Sequence, residues 1–400
     1  MGLYVRTGSR YETARNNGLS HFVEHMLFRG SAGFPTSFAL NRAIEERCGM
    51  LCGETGRDYS LYQVQLHPSE MDDVMRILGD LFTAPLFVDI ELERAIVLEE
   101  ILEDFDERGQ RVNIDDVGRS CAWPGHPLGF PITGPEENIR RFSRRDVLAH
   151  FRRFHGARNL VLAVAGPISH ARIMACAERA FGGLPSGQRQ VPRPVPKALP
   201  GLTFRSVRTD SAQVEVQLLF RALPDNHPQY PALVTLLRLL DDGMSTPLHY
   251  RVCDRKGLAY QVNAGLDPLS DTSLFEISAA CGTEKLTELV GEILSILSEL
   301  RDKPVSAAEL DKAKRRYARD LEAGFDDVDG LCAWFGDSML FGRPLRTPAE
   351  RYRRMARVSD TQIQQVANDI LRPERLVASC VGSFTPALLR KTKSLFRAFQ

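Results

Sequence analysis

What most limits this chain is that its two halves repeat each other. RNLVLAVAG at 158–166, a buried-strand run followed by a helical pattern, recurs as ERLVASCVG at 374–382. DYSLYQVQL, starting at Asp58 and leading into the helical SEMDDVMRILGDLF, recurs as DTSLFEISA, starting at Asp271 and leading into TEKLTELVGEILSIL. The two pairs are offset by 216 and 213 residues and keep the same order. Two matches at nearly one offset argue for an internal duplication. Each half mixes strand alternation with helical stretches, which predicts an α+β chain of two homologous domains. In each, a mixed or antiparallel sheet is packed with helices. Between them GGLPSGQRQVPRPVPKALPG, residues 182–201, holds five prolines and four glycines and cannot carry a regular element. The expected division is a domain over 1–183, a Pro/Gly-rich linker over 184–201 and a homologous domain over 202–400.

The duplication gives a control for the most distinctive motif. NGLSHFVEHMLFRG, residues 17–30, contains His21, Glu24 and His25, the reverse order of the His-Glu-x-x-His of many zinc peptidases. The stretch predicts a helix closed near Gly30, with the three residues on one face. Two imidazoles one turn apart can grip one zinc ion, and catalytic zinc needs a third protein ligand plus a position open to water. A glutamate beside the ion but not bound to it can take that water's proton and pass it to a leaving amine. The acidic helical run ELERAIVLEEILED, residues 91–104, is the source for the third ligand. Glu93 and Glu100, seven residues apart, share a helical face, so one can bind metal while the other orients a histidine. Periodicity does not choose between Glu99 and Glu100. Shifted by the repeat offset, the histidine motif falls on VTLLRLLDD at 234–242, which has neither histidine nor glutamate. The acidic run falls on the basic AKRRY at 313–317. A site, if formed, belongs to the first half.

Composition excludes several other classes. Lys+Arg and Asp+Glu balance at 51 each, so nothing points to nucleic acid or to an acidic membrane surface. No apolar run reaches membrane-spanning length, and MGLYVRTGSRYETARNN lacks the apolar core of a secretory signal. The eight cysteines are scattered, with Cys48 and Cys52 the only close pair, and read as reduced thiols of a cytoplasmic protein. His126 reads as a turn residue. His67, His150, His155, His170, His227 and His249 are isolated surface or packing residues, and the arginines of 140–145 are solvated helix starts.

Five segments together, GSRYE (8–12), GLSHFVEHMLFRGS (18–31), ELERAIVLEEILED (91–104), PGHPLGFPITG (124–134) and RKGLAYQV (255–262), resemble the pitrilysin/insulinase/mitochondrial-processing-peptidase family, the inverzincins. The likeness runs over nearly the whole chain in the right order. It implies a zinc-dependent endopeptidase with one Zn2+ per chain on His21, His25 and Glu100, Glu24 as the catalytic base and Glu93 as the supporting acid. The register ER-x-x-x-x-x-E is what selects Glu100. The resemblance also implies that the second domain lacks the metal site. Two such chains, identical or not, are expected to close like a clamshell around a chamber for peptides or unfolded segments. The expected partners are thus a peptide substrate and a homologous chain, as homodimer or heterodimer, with no nucleic acid and no membrane.

The chain departs from the family at several places. Members usually carry a leading strand ahead of GLYVRTGSR, which leaves two readings, a misassigned start or a domain without that edge strand. Cys52 stands where relatives commonly have asparagine in the edge strand beside the site, and Cys253 where they have the arginine seven residues before Tyr260. Tyr260 matches, and Arg251 is the candidate to replace that arginine in holding a substrate carbonyl. These changes sustain a rival reading, a non-hydrolytic or partner-dependent peptide-binding subunit of a heterodimeric peptidase.

Overall fold

The computed structural model describes residues 1–47, 49–199, 201–324 and 326–399; Cys48 and Pro200 of the linker lie outside the described residues. The chain packs as two units. The first comprises Met1–Leu102, Phe130–Arg193 and Ala323–Leu345, the second Glu103–Gly129, Pro194–Glu322 and Arg346–Gln400. Each unit thus combines segments drawn from both halves of the sequence.

The first unit holds a sheet of β1 (Gly2–Val5), β2 (Leu51–Thr55), β3 (Ser60–Val64) and β4 (Leu160–Ala163) in the order β2-β3-β1-β4, with every pairing antiparallel. The second holds β5 (Thr203–Arg208), β6 (Val214–Ala222), β7 (Val262–Pro268), β8 (Ser273–Cys281) and β9 (Leu376–Gly382) in the order β5-β9-β6-β8-β7. There β5 runs parallel to β9 and the other neighbours are antiparallel. Read from the other edge, β7-β8-β6-β9 repeats β2-β3-β1-β4. The α+β duplication is therefore present in the sheets, and β5 is the strand that the first sheet does not match among the described residues.

The helices keep the same order. β3 leads into Met71–Thr83 as β8 leads into Leu286–Asp302, and β4 leads into His170–Phe181 as β9 leads into Pro386–Ala398. One face of each sheet is covered by a segment from the other half. In the first unit the helix Val328–Leu340 lies on β1 and β4, with Cys332 Sγ donating to Ala163 O at 3.2 Å and Tyr4 packed under Gly336. In the second the helix Ile114–Ala122 lies on β6 and β9. Covered on both sides, β9 is buried along its whole length, which is why LVASCVG reads as a continuous run rather than an alternation.

The described part of 184–201 forms neither helix nor strand, yet it is tied down. In the first unit Arg10, 1% exposed, donates to Arg193 O at 3.0 Å, and Gln190 N donates to Asn159 Oδ1 at 2.9 Å. In the second unit Val195 N donates to Asp271 Oδ2 at 3.2 Å, and Arg221 donates to the carbonyls of Pro196 and Ala198. The described cysteines 52, 121, 176, 253, 281, 332 and 380 are free thiols. Among the described residues, no helix is long and apolar enough to cross a membrane.

Candidate metal centre

The histidine motif lies on α1 (Leu19–Leu27) of the first unit. The start of α1 is fixed twice over. Gly18 sits at φ +95°, and a Cβ there would stand 2.5 Å from Thr133 O. The buried Glu12 accepts from Gly18 N at 2.8 Å, Ser20 N at 2.6 Å and Asn17 Nδ2 at 3.0 Å, a carboxylate placed where a helix N-terminus favours one. Burial pushes its carboxyl above the usual range, against the hydrogen bonds from Asn17, Ser20 and Gly18. Phe22, Val23, Met26 and Leu27 face the interior at 0% exposure. His21, Glu24 and His25 occupy the remaining side.

The acidic run forms α2 (Ile90–Leu102), with Val97 and Ile101 turned inward. Its ends differ in role. Glu93 is buried and its Oε1 lies 2.8 Å from His25 Nδ1, while Glu100 is half-buried and reaches both histidines. Glu100 Oε1 is 3.4 Å from His21 Nε2, and Oε2 is 3.4 Å from His25 Nε2. The two Nε2 atoms stand 3.2 Å apart. One donor atom each from His21, His25 and Glu100 falls within 4.8 Å of the others, a set able to hold a cation. Glu99 is exposed, and Glu100 is the one of the two whose carboxylate reaches both histidines.

The charges respond to this crowding. Burial pulls the His25 imidazole down, but the hydrogen bonds to Glu100 and Glu93 outweigh it and lift the ring to about 9. His21 and then His25 hold the Glu100 carboxyl well below the usual carboxylate range, against its partial burial. With its Nδ1–H directed to Glu93, His25 keeps Nε2 for the cluster.

Glu24 is adjacent in sequence but lies outside that donor set. Its Oε2 lies 2.5 Å from Thr55 Oγ1, at the end of β2, and its Oε1 lies over Gly53. β2 is an edge strand whose middle residues, Cys52, Gly53 and Glu54, are exposed. Sequence reasoning passed over Gly53, Thr55 and Glu12. GSRYE contained Glu12, but nothing local showed what its carboxylate would cap.

The remaining expected residues lie in the second unit. Arg251 sits in a π-helical turn, Tyr250–Arg255, and its guanidinium donates to Glu292 at 2.5 Å and Glu299 at 2.7 Å. It lines a 390 Å³ cavity, whereas Tyr260, 95% exposed, lines a separate one of 360 Å³ with Gln261, Asn263 and Ser278. The counterparts of α1 and α2 there, Tyr230–Leu240 and Ala307–Ala323, carry no equivalent of the three donors.

Residues 1–136 match the family model described as Insulinase (Peptidase family M16), and residues 141–317 match Peptidase M16 inactive domain. The chain belongs to peptidase family M16. Among M16 relatives it is 26% identical over 398 residues to a probable mitochondrial-processing peptidase subunit beta of Schizosaccharomyces pombe, covering 95% of this chain and 85% of the relative. It is 29% identical over 328 residues to an uncharacterized zinc protease of Rickettsia felis, covering 80% of this chain and 77% of the relative. In fold it is similar to a protease from Helicobacter pylori, with TM-score 0.86 at 19% identity over 95% of this chain and 92% of that one. The short two-domain M16 type suggested by the motifs is thereby shown. Peptidase and zinc protease are what its relatives are named.

Proposed function

We propose that this chain is a zinc-dependent endopeptidase acting on peptides or unfolded segments, with His21, His25 and Glu100 as metal ligands, Glu24 as general base and Glu93 orienting His25. The observation that carries the reading is the 3.2 Å between the two Nε2 atoms. Nitrogens each about 2.0–2.1 Å from one tetrahedral zinc stand about 3.3 Å apart, so the pair is spaced for that ion. Glu100 supplies a third donor, and three protein ligands leave one position for water, as catalytic zinc requires.

Zinc held there would polarise a scissile carbonyl and acidify a water molecule. The chain's own residues do the rest. Glu24, beside the donor set and outside it, takes the water's proton and returns it to the departing amine nitrogen. His25 is kept in the right tautomer by Glu93. The exposed edge of β2 can pair with an extended peptide backbone and hold it alongside Glu24.

A relative named as a beta subunit supports pairing with a second homologous chain, identical or not, to enclose the substrate. The halves 1–183 and 202–400, joined by 184–201, are read as a catalytic copy and a copy that lost its donors. Free cysteines fit a reducing compartment such as the cytoplasm.

One observation favours the rival, a non-hydrolytic or partner-dependent subunit. Arg251 spends its donors on Glu292 and Glu299 rather than offering them to a substrate carbonyl. Metal content by mass spectrometry and turnover of a quenched peptide library, for wild type and Glu24→Gln, separate the readings. The peptidase predicts one zinc per chain in both and cleavage in wild type alone. Zinc in both without cleavage supports the rival, and absence of zinc from wild type defeats the site.

A further inference from the structure

Helix position alone does not explain why Glu24 should act as a base rather than as a ligand. It adjoins His25 in the chain, carboxylates are ordinary zinc ligands, and a fourth protein ligand would close the position that water needs. One Glu24 oxygen is hydrogen-bonded elsewhere, and the other sits close over Gly53. Oε2 lies 2.5 Å from Thr55 Oγ1. A carboxylate only accepts, so Thr55 donates its single proton there. The 3.2 Å contact between Thr55 Oγ1 and Ser60 Oγ must then have Ser60 as donor. Thr55 and Ser60 face each other in the β2–β3 register and are 9% and 0% exposed, so the two hydroxyls are shielded from water. On the other side, Oε1 fits a notch that exists because residue 53 has no side chain: a Cβ there would stand 2.4 Å away.

From this geometry we infer that Thr55, backed by Ser60, is a positioning residue that holds the Glu24 carboxylate against β2 and out of the His21–His25–Glu100 donor set. The inference rests on the reading of Glu24 as the base. A short charge-assisted O–H···O⁻ bond is among the stronger hydrogen bonds, and here it is spent on orientation.

Thr55→Val keeps the shape and removes the donor, while Thr55→Ser keeps the donor. In metal-free protein, Thr55→Val lowers the urea unfolding midpoint more in the Glu24 chain than in a Glu24→Ala chain, because only the former has the bond to lose. In chelator competition, Thr55→Val binds zinc several-fold more tightly, since Glu24 is released to join the donors, and Thr55→Ser matches wild type. In peptide turnover, Thr55→Val lowers kcat about 10- to 100-fold with KM nearly constant, and Thr55→Ser restores most of it. Equal midpoint shifts in both backgrounds with unchanged zinc affinity overturn the inference. So does an unaltered kcat in an enzyme that Glu24→Gln silences. A wild type that does not turn over, or a Glu24→Gln variant as active as wild type, defeats the peptidase reading instead. The unfolding cycle and the zinc competition then still decide whether Thr55 restrains Glu24.

Discussion

His25 Nδ1 lies 2.8 Å from Glu93 Oε1, and Glu93 Oε2 in turn lies 3.4 Å from Arg29 Nη1. Glu93, outside the donor set, therefore fixes the rotation of the imidazole through its Nδ1, whereas His21 Nδ1 is buried with no hydrogen-bond partner among the described residues. Removing the Glu93 carboxylate deletes no donor but frees the His25 ring. Glu93→Ala should weaken zinc binding about 10- to 100-fold, measured by chelator competition, with Glu93→Gln intermediate.

Gly53 makes a second point of control. Its replacement by alanine would place a methyl 2.4 Å from Glu24 Oε1 and 2.8 Å from Phe28 Cε2. The carboxylate is the far end of a flexible side chain and can turn aside, so the fold should survive. Gly53→Ala is expected to retain one zinc per chain while peptide turnover falls by about a hundredfold, the scale of loss from misplacing a catalytic group by an ångström.

In the second unit Arg119 is buried among three carboxylates, Asp115 at 2.7 Å, Asp267 at 2.5 Å and Glu276 at 2.5 Å. Burial disfavours its charge, but the three carboxylates outweigh that and raise its pKa. Arg119→Leu would leave those acids facing one another without a cation. The variant should lose about 2 kcal/mol in urea denaturation, less than the about 3–5 kcal/mol for orphaning a fully buried charge, because the carboxylates keep 39%, 35% and 21% of their side-chain surface in contact with solvent. Replacing Arg119 together with two of its acids by apolar residues should recover much of it.

His155 makes stability depend on pH. Its ring stacks on Phe151 with centroids 4.4 Å apart, and burial lowers its pKa from 6.5 to about 3, against a hydrogen bond to the Phe151 backbone. The unfolded chain binds the proton more readily, so the contribution is complete above pH 6.5 and falls as pH drops toward 3. By pH 5 the loss is about 2 kcal/mol. His155→Phe keeps the stacking, and its metal-free form should lose stability less steeply between pH 7 and 5. A slope equal to that of wild type in thermal melts would refute this.

Much of the architecture was legible because duplication leaves a periodic trace. RNLVLAVAG and ERLVASCVG became β4 and β9, and DYSLY and DTSLF opened onto β3 and β8. The reassignment of 103–129 and 323–345 was not legible, since a helix's sequence shows that it has an apolar side but not which sheet will cover it. At the site, α1 and its three polar residues followed from spacing alone. Glu99 and Glu100 differ by one step around a helix, which periodicity could not separate; the family register pointed to Glu100, and the placement of α1 against α2 brings Glu100 to both histidines. Thr55 and Gly53 look like ordinary residues of a short strand. Their importance comes from a glutamate about thirty positions earlier, a relation that no local pattern encodes.

The assignment of Ala323–Leu345 to the first unit has a consequence for how the protein is made. When Arg193 leaves the ribosome, the strands β1 to β4 exist but the helix that covers β1 and β4 has not been synthesised. At about 5–20 residues per second, that helix follows only after roughly 7–30 s. Through that interval the nascent chain carries an apolar sheet face with nothing over it. The donor-bearing half is thus begun first and completed late, its sheet face waiting on a helix from the far end of the chain.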